Sequence, residues 1–260
     1  MDSSSHPERV THAAVIGGGT MGSGIAAALA ESGAGVTVVD VDTEATIETL
    51  PAGLDLIVEA VPEQAELKRS VLARCALREP RLLASNTSGI SIDELAAGLP
   101  APDRFLGLHF FNPVSAMKLV EIVLGSRTGD AARARALALC VQLGKTSIVV
   151  RDMPGFASTR LGIALGLEAM RMVEDGVAAP ADIDRAMELG YRHPMGPLKL
   201  TDLVGLDVRL DIARNLERTY GARYHPPQLL VDMVAAGHLG KKSGRGFYDW
   251  SSGEARPIGS

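Results

Sequence analysis

A glycine-rich turn between an apolar strand and a helical segment restricts the fold of this chain more than any other feature. Residues 15–22 read V-I-G-G-G-T-M-G, which is a G-x-G-x-x-G pattern. In such turns the first glycine, Gly17, permits a tight bend and the second, Gly19, lets a phosphate approach the backbone. The third, Gly22, lets the helix pack on the strand. The pattern predicts a βαβ unit of a nucleotide-binding sheet.

The second predicted strand, residues 35–41, carries a carboxylate at the position that a dinucleotide requires. Asp40 lies about twenty residues after the glycine turn, where it can accept hydrogen bonds from ribose hydroxyls. The phosphates would bind at the helix terminus near Thr20 and Met21. Asp42 follows and no arginine is nearby in the sequence, so a 2′-phosphate would be repelled. We therefore predict NAD as the cofactor; the alternative is a structural glycine turn with a surface aspartate.

Apolar strands and helical patterns alternate through the first part of the chain. This alternation is typical of a parallel sheet covered on both faces. After residues 151–155 the periods are mostly helical, with no convincing strand. We predict a Rossmann-type, doubly wound, mostly parallel α/β sheet over residues 1–152 and an all-helical domain over residues 153–260. Residues 156–174, apolar nearly all round, predict a helix buried in a domain core or dimer core.

Composition and charge exclude two classes of function. A formal net charge of −5 gives no basic face for nucleic acid. No apolar run approaches the roughly 20 residues of a membrane helix, and residues 1–9 are too polar for a secretory signal. Cys75 and Cys140 lie in helical patterns and are predicted to be reduced, buried thiols. We therefore expect a cytoplasmic protein that binds neither nucleic acid nor membranes.

Polar side chains follow the predicted strands at the edge where open sheets of this type bind ligands. They are the S-N-T-S run at residues 85–88, His109 with Asn112, and Glu121. An imidazole can accept an alcohol proton while hydride moves to a nicotinamide, and Glu121 could fix its tautomer. Residue chemistry alone leaves open that His109 is structural and that Asn112 begins an ordinary turn.

Several segments, in order over nearly the whole chain, resemble the L-3-hydroxyacyl-CoA dehydrogenase family. The run G-L-H-F-F-N-P-V at residues 107–114 is the most specific. The others are A-S-N-T-S at 84–88, M-K-L-V-E at 117–121, D-M-P-G-F at 152–156, H-P-M-G-P at 193–197, D-L-V-G-L-D at 202–207 and G-K-K-S-G-R-G-F-Y at 240–248.

This resemblance implies the NAD-dependent oxidation of a 3-hydroxyacyl thioester, possibly of short chain, to its 3-oxoacyl form, or the reverse. It makes His109 the general base and Glu121 its partner, while Ser88 and Asn112 bind the 3-oxygen and the acyl carbonyl. It also implies a homodimer formed through the helical domain, and it calls for no metal.

The resemblance also assigns two charged residues to the cofactor side, Glu63 and Lys68. Without it, both would be interpreted as solvated charges at the start of a helix. The family thus adds roles that the local pattern does not indicate.

The chain departs from the family pattern in two places. Thr159 occupies the substrate-binding position where the family has asparagine, so acyl recognition is altered or the enzyme is weakened. Only about fifteen residues separate Asp40 from Asp55, too few for a regular crossover with its strands. The family has there a long helical segment with a hairpin that clasps CoA. We predict that both are absent and that one sheet edge is abbreviated.

Three alternatives to an enzyme that acts on a CoA thioester remain. The same chemistry could act on an acyl group bound to an acyl carrier protein, or on a free hydroxy acid. The third is a catalytically silent NAD-binding protein. The retained Ser88, His109, Asn112 and Glu121 favour an enzyme.

Overall fold

The computed structural model describes residues 9–258. The N-terminal segment, on which the prediction of no secretory signal depends, lies outside the described residues except for Arg9. The chain divides into two compact units, the first ending at Phe156 and the second beginning at Ala157.

The first unit is a sheet of seven strands in the order β2-β1-β3-β4-β5-β6-β7. The strands are β1 (His12–Ile16), β2 (Gly35–Val39), β3 (Leu56–Glu59), β4 (Leu83–Ser85), β5 (Phe105–Phe110), β6 (Leu119–Leu124) and β7 (Thr146–Arg151). The helices are α1 (Thr20–Glu31), α2 (Ala65–Ala76), α3 (Ile92–Leu95) and α4 (Asp130–Gln142).

The sheet is covered on both faces, as the apolar strands predict. Every residue of β3 and β5 is buried. One hydrophobic cluster joins the sheet to α1 and α4, and a second joins it to α2 and α3. The predicted doubly wound arrangement is therefore confirmed.

One strand pair is antiparallel. Within the seven-stranded sheet, all neighbouring strands are parallel except β5 and β6. The described connection from Phe110 to Leu119 contains no helix, and it is too short for the crossover of a parallel pair. The antiparallel register places His109 directly opposite Glu121.

The sheet ends at β2, and the segment that follows is short. From Val39 to Leu56 every residue is described, and the helical structure there is limited to a 3-10 turn over Ile47–Thr49. Ile47 and Leu50 are buried in the hydrophobic cluster beside α2. The predicted absence of the long helix and hairpin, and the abbreviated sheet edge, are confirmed.

The second unit is built mainly of helices packed around its own hydrophobic core. They are α5 (Ser158–Glu174), α6 (Pro180–Gly190), α7 (Pro197–Val204), α8 (Leu206–Tyr220) and α9 (Gln228–Ala235). The expectation of no strand is corrected by a small antiparallel hairpin of β8 (Tyr248–Asp249) and β9 (Arg256–Pro257). Strands of two residues are too short to give a periodic pattern.

Helix α5 is buried on one side rather than all round. Ile163, Leu167 and Met170 lie in the core of the second unit, whereas Leu161 is 71% exposed. The core of the second unit therefore covers one side of α5, and burial of the other side in a dimer core stays a prediction. Across residues 9–258, no helix combines the length and the apolar character needed to cross a membrane.

Candidate active site

The glycine turn has the geometry that its sequence predicts. Gly17 has φ of 103°, and its N–H donates to the Val39 carbonyl at 2.8 Å. A Cβ at Gly22 would lie 1.8 Å from the Gly17 carbonyl oxygen, so a side chain is excluded there. A Cβ at Gly19 would meet no atom within 4 Å, which leaves the backbone open to a ligand. Gly19 caps α1 and has no side chain to occupy the first amides of the helix, so these amides can bind an anion.

A cleft of about 1120 Å³ opens above the carboxyl ends of the strands. This volume slightly exceeds the usual range for small-molecule sites, and it suits a dinucleotide. The structure brings most of the predicted site residues to its wall: Gly17, Gly19, Thr20, Met21, Asp40, Glu63, Lys68, Ser88 and His109. Gly22 lies behind the turn, and Glu121 lies behind His109.

Asp40 is held beside the glycine turn. Its carboxylate accepts the N–H of Gly18 and, at 2.6 Å, the N–H of Val41. The sequence indicated no arginine nearby, but the fold brings Arg74 of α2 into the wall of the same cleft. Its guanidinium is bound to Glu48 in two hydrogen bonds of 2.8 and 2.9 Å. The local sequence therefore gave an incomplete view of the charges around Asp40.

Lys68 is 1% exposed, so its interpretation as a solvated charge is wrong. Its Nζ donates to Glu59 Oε1 at 2.8 Å and to the Val61 carbonyl at 3.0 Å. Glu63 Oε2 lies 3.3 Å from the same nitrogen. The buried ammonium is thus compensated by two carboxylates, as a charge away from water requires.

Glu59, which sequence reasoning missed, organises this part of the cleft. The fully buried carboxylate accepts the Val61 N–H at 2.7 Å and the Ser85 hydroxyl at 2.6 Å, besides Lys68. The available signal was an acidic residue at the end of an otherwise apolar strand, which is costly unless it is paired.

Glu63 binds the loop after β4. Its Oε1 accepts the Thr87 hydroxyl at 2.6 Å, and the N–H and hydroxyl of Ser88 at 3.0 and 3.2 Å. Asn86, which precedes Thr87 in the predicted polar run, accepts the Phe110 N–H at 2.9 Å and also lines the cleft. These bonds fix the β4 loop beside the end of β5.

His109 and Glu121 form a buried pair across the antiparallel strands. His109 Nδ1 lies 2.6 Å from Glu121 Oε2, and the carboxylate is fully buried. Since an ionised carboxylate only accepts, we assign the proton to Nδ1, which leaves Nε2 as the basic nitrogen. The rings of Phe111 and Phe156 lie 4.5 and 5.8 Å from the imidazole. The pair therefore offers a base in a largely apolar surrounding.

The two remaining residues predicted to bind the substrate are Asn112 and Thr159. Asn112 precedes Pro113 through a cis peptide bond, just after β5. Thr159 lies in the first turn of α5, in the second unit. Within the first unit, the structure groups most of the residues predicted for the cofactor with His109.

A dinucleotide-sized cleft with a buried histidine–carboxylate pair in its wall is typical of a nicotinamide-dependent dehydrogenase. Comparison with known proteins agrees. Residues 12–52 and 44–153 match the family model "3-hydroxyacyl-CoA dehydrogenase, NAD binding domain", and residues 155–250 match the C-terminal domain of the same family. The chain belongs to the 3-hydroxyacyl-CoA dehydrogenase family and is an NAD-dependent oxidoreductase.

Individual relatives cover almost the whole chain. A probable 3-hydroxybutyryl-CoA dehydrogenase of Bacillus subtilis is 38% identical over 91% of this chain and 96% of the relative. A 3-hydroxybutyryl-CoA dehydrogenase of Mycobacterium tuberculosis is 39% identical over 94% and 99%. The crystal structure of (S)-3-hydroxybutyryl-CoA dehydrogenase from Ralstonia eutropha gives a TM-score of 0.85 at 36% identity, covering 93% of this chain and 99% of that one.

The family match is interrupted where the fold is short. The NAD-binding model aligns in two overlapping pieces that meet between residues 44 and 52. This region contains the 3-10 turn that takes the place of the longer helical segment. The shortening predicted from the sequence and the break in the match therefore coincide.

Proposed function

We propose that this protein oxidises the C3 hydroxyl of a 3-hydroxyacyl-CoA, or reduces the matching ketone, with His109 as the general base. The observation that carries the proposal is the buried His109–Glu121 pair: His109 lines the cleft, and its Nδ1 lies 2.6 Å from Glu121 Oε2. The names of the relatives support a short acyl group such as 3-hydroxybutyryl.

In this proposal the chemistry at His109 follows from its hydrogen bond. Glu121 accepts the Nδ1 proton, so Nε2 can accept the proton of the C3 hydroxyl. The carboxylate also offsets the positive charge that the imidazole then carries. Bound NAD supplies the acceptor for the hydride that leaves C3. Reduction follows the same path backward, with the imidazolium returning the proton.

Ser88 and Asn112 would bind the 3-oxygen and the adjacent acyl carbonyl. The Ser88 hydroxyl already donates to Glu63 at 3.2 Å, so its oxygen is held at the cleft wall with capacity to accept a further hydrogen bond. Thr159 would contact the acyl group through its shorter hydroxyl. This residue is where we expect acyl preference to differ from that of relatives with asparagine.

The remaining residues would bind the coenzyme. Gly17, Gly19 and Gly22, together with Thr20 and Met21, would shape the site for the pyrophosphate. Asp40 would accept the adenosine ribose hydroxyls. Glu63 and Lys68, next to the β4 loop, would contact the nicotinamide side. The open backbone at Gly19 and the free helix amides support this arrangement.

A second candidate keeps the reaction and changes the carrier. The short 3-10 turn after β2 favours it, because the helical segment expected to clasp CoA is absent from this described region. An acyl carrier protein or a free hydroxy acid would then present the acyl group. We also propose a homodimer, supported by the exposed apolar Leu161 of α5, and a cytoplasmic location, supported by the free, buried Cys75 and Cys140.

The test follows the absorbance of NADH with acetoacetyl-CoA, acetoacetyl carrier protein and acetoacetate. We expect oxidation with acetoacetyl-CoA that is lost in His109→Gln. The matched control is His225→Gln, because His225 also pairs with a glutamate, Glu217, but is largely exposed. Activity only with the carrier-bound or free form would reassign the substrate. NADH binding without turnover of any of the three would reject the enzymatic proposal.

A further inference from the structure

We infer that Glu48 and Arg74 form the adenosine-binding end of the coenzyme site. Arg74 packs against the adenine, and Glu48 neutralises the charge of Arg74 so that the guanidinium does not bind a 2′-phosphate. The inference depends on NAD as the coenzyme and is independent of the acyl substrate proposed above. It gives the shortened segment after β2 a role in coenzyme recognition.

The shortened segment builds one wall of this end of the cleft. Thr46 and Ile47 line it, and Ile47 is buried against the sheet unit. The turn is closed on itself, since Thr49 Oγ1 donates to the Thr46 carbonyl at 2.9 Å and accepts the Thr46 N–H at 3.0 Å. Glu48 therefore projects from a turn that is fixed at both ends.

Helix α2 builds the adjoining wall. Leu67, Val71 and Arg74 are spaced four and three residues apart, which places them on one face of the helix. All three line the cleft. Val41, which follows Asp40, also lines it and is almost fully exposed. An exposed apolar side chain with a planar guanidinium nearby suits a flat aromatic ring such as adenine.

The Glu48–Arg74 contact is a fork-to-fork pair. Arg74 Nε and Nη2 donate to the two carboxylate oxygens of Glu48 at 2.8 and 2.9 Å. This bonding lowers the pKa of the Glu48 carboxyl to about 2. The Glu48 carbonyl also accepts Arg78 Nη1 at 3.2 Å. Both side chains of the pair are at least half exposed, so we expect it to add little to stability and to act instead by orienting Arg74.

The charges of the pair explain a preference against NADP. An arginine near the ribose is the usual ligand of a 2′-phosphate, and Arg74 would be such a cation. Glu48 neutralises it, and Asp40 and Asp42 add negative charge. Removing the Glu48 charge should therefore leave the Arg74 guanidinium in the cleft wall without its neutralising partner, where it could bind a 2′-phosphate.

The experiment measures dissociation constants of NADH, NADPH and reduced nicotinamide mononucleotide, which lacks the adenosine half, without any acyl substrate. We expect Arg74→Gln to weaken NADH binding roughly tenfold, as loss of a desolvated cation–π contact would. Binding of the mononucleotide should not change. We expect Glu48→Gln to raise the affinity for NADPH relative to NADH by about tenfold, equivalent to one gained charge contact.

The matched control is Arg69→Gln on the same helix. Arg69 pairs with Glu66 and Glu94 and is not part of the cleft wall. Unchanged NADH binding in Arg69→Gln supports the inference. It is overturned if Arg74→Gln leaves NADH binding intact, if it weakens the mononucleotide equally, or if Glu48→Gln leaves the NADPH to NADH ratio unchanged. Because no acyl group is present, failure of the proposed reaction would not alter these outcomes.

Discussion

Each unit of this molecule contains a histidine–glutamate pair, and the two pairs have different surroundings. The His109–Glu121 distance is 2.6 Å and the His225–Glu217 distance is 2.8 Å. The side chains of the first pair are 9% and 0% exposed, and those of the second are 69% and 34% exposed. A charged contact is weakened by water and strengthened in a low-dielectric interior. Burial beside a ligand cleft therefore distinguishes a candidate base from a surface ion pair.

The buried carboxylates of the two units also differ in their partners. In the first unit Glu59 meets the ammonium of Lys68 and Glu121 meets an imidazole. In the second unit Asp184 and Asp202 meet neutral donors. Burial raises the pKa of both aspartates despite those hydrogen bonds. Glu59 and Glu121 lie at the cleft or directly beneath it. Asp184 and Asp202 instead connect segments of the helical unit that are far apart in the sequence.

The largest expected effect tests the two histidine pairs directly. Glu121→Gln should lower kcat about 100-fold or more, because the amide cannot offset the imidazolium and general-base catalysis contributes about 10²–10⁴-fold. Glu217→Gln should leave kcat unchanged. Steady-state NADH kinetics measure both, with circular dichroism to confirm folding. Equal kcat values in the two variants would contradict the claim that the buried pair supports catalysis and the exposed pair does not.

The second test compares a buried ion pair with an exposed one. Glu59→Gln should lower the free energy of unfolding by about 3 kcal/mol, because it leaves buried Lys68 with only Glu63 as a carboxylate partner. The control is Asp182→Asn, which breaks the exposed 2.6 Å contact with Arg185 and should cost less than about 1 kcal/mol.

Urea unfolding followed by circular dichroism measures both changes. If Glu59→Gln is no more destabilising than Asp182→Asn, Lys68 does not depend on Glu59 in the folded state. The same variants also separate stability from coenzyme binding, since NADH affinity can be measured on the folded fraction.

The sequence predicted the parts of the site that depend on local pattern. The glycine turn and Asp40 have a fixed spacing, and His109 and Glu121 lie on strands whose apolar character is evident. It did not predict the Glu59 network, because Lys68 and Ser85 are nine and 26 residues away from Glu59. An acidic residue at the end of a buried strand shows that a partner is needed without showing which one.

The pairing of Arg74 with Glu48 was missed for a related reason. The two residues are 26 positions apart and belong to elements that each look solvent-facing in sequence. The antiparallel β5–β6 pair could have been predicted from its short connection, but strand–helix alternation elsewhere favoured a parallel arrangement. Long-range contacts thus account for most of what the sequence left open.

The third prediction concerns the buried aspartates of the second unit. Asp202 accepts the N–H groups of Phe247 and Tyr248, both at 2.9 Å, and the indole N–H of Trp250 at 2.8 Å. Asp202→Asn replaces one acceptor oxygen by a donor, which should cost about 1–3 kcal/mol for an unsatisfied buried group. Fluorescence of Trp250, the single tryptophan in the chain, reports the unfolding of this unit.

The pH dependence gives a second measure of Asp202. Because its pKa is raised in the folded state, it contributes stability below its unfolded pKa of about 3.9, and that contribution is lost as pH rises through the folded value. Asp202→Asn should reduce this loss, whereas Asp211→Asn, an exposed control on α8, should not. An identical pH slope in wild type and Asp202→Asn would contradict the assignment.

The smallest expected effect has the opposite sign and lies in the first unit. Burial alone would raise the pKa of Asp55, but hydrogen bonds from Thr11 and His12 outweigh it and lower the pKa. The Asp55 carboxylate accepts the N–H groups of Thr11 and His12 at 2.9 and 3.1 Å, and the Thr11 hydroxyl at 2.8 Å, just at the start of β1. Its stabilisation is therefore present above a pH of about 3.9 and is lost as pH falls through the folded value.

Asp55→Asn should cost about 1 kcal/mol at neutral pH and flatten the acid side of the stability profile, because a partly exposed carboxylate contributes less than a buried one. Urea unfolding at a series of pH values, followed by circular dichroism, measures this change. Together with Asp202→Asn it separates the two units, since acidification removes stability at Asp55 while it restores stability at Asp202. Slopes of the same sign at both positions would mean that the deeper burial of Asp202 does not distinguish the two carboxylates.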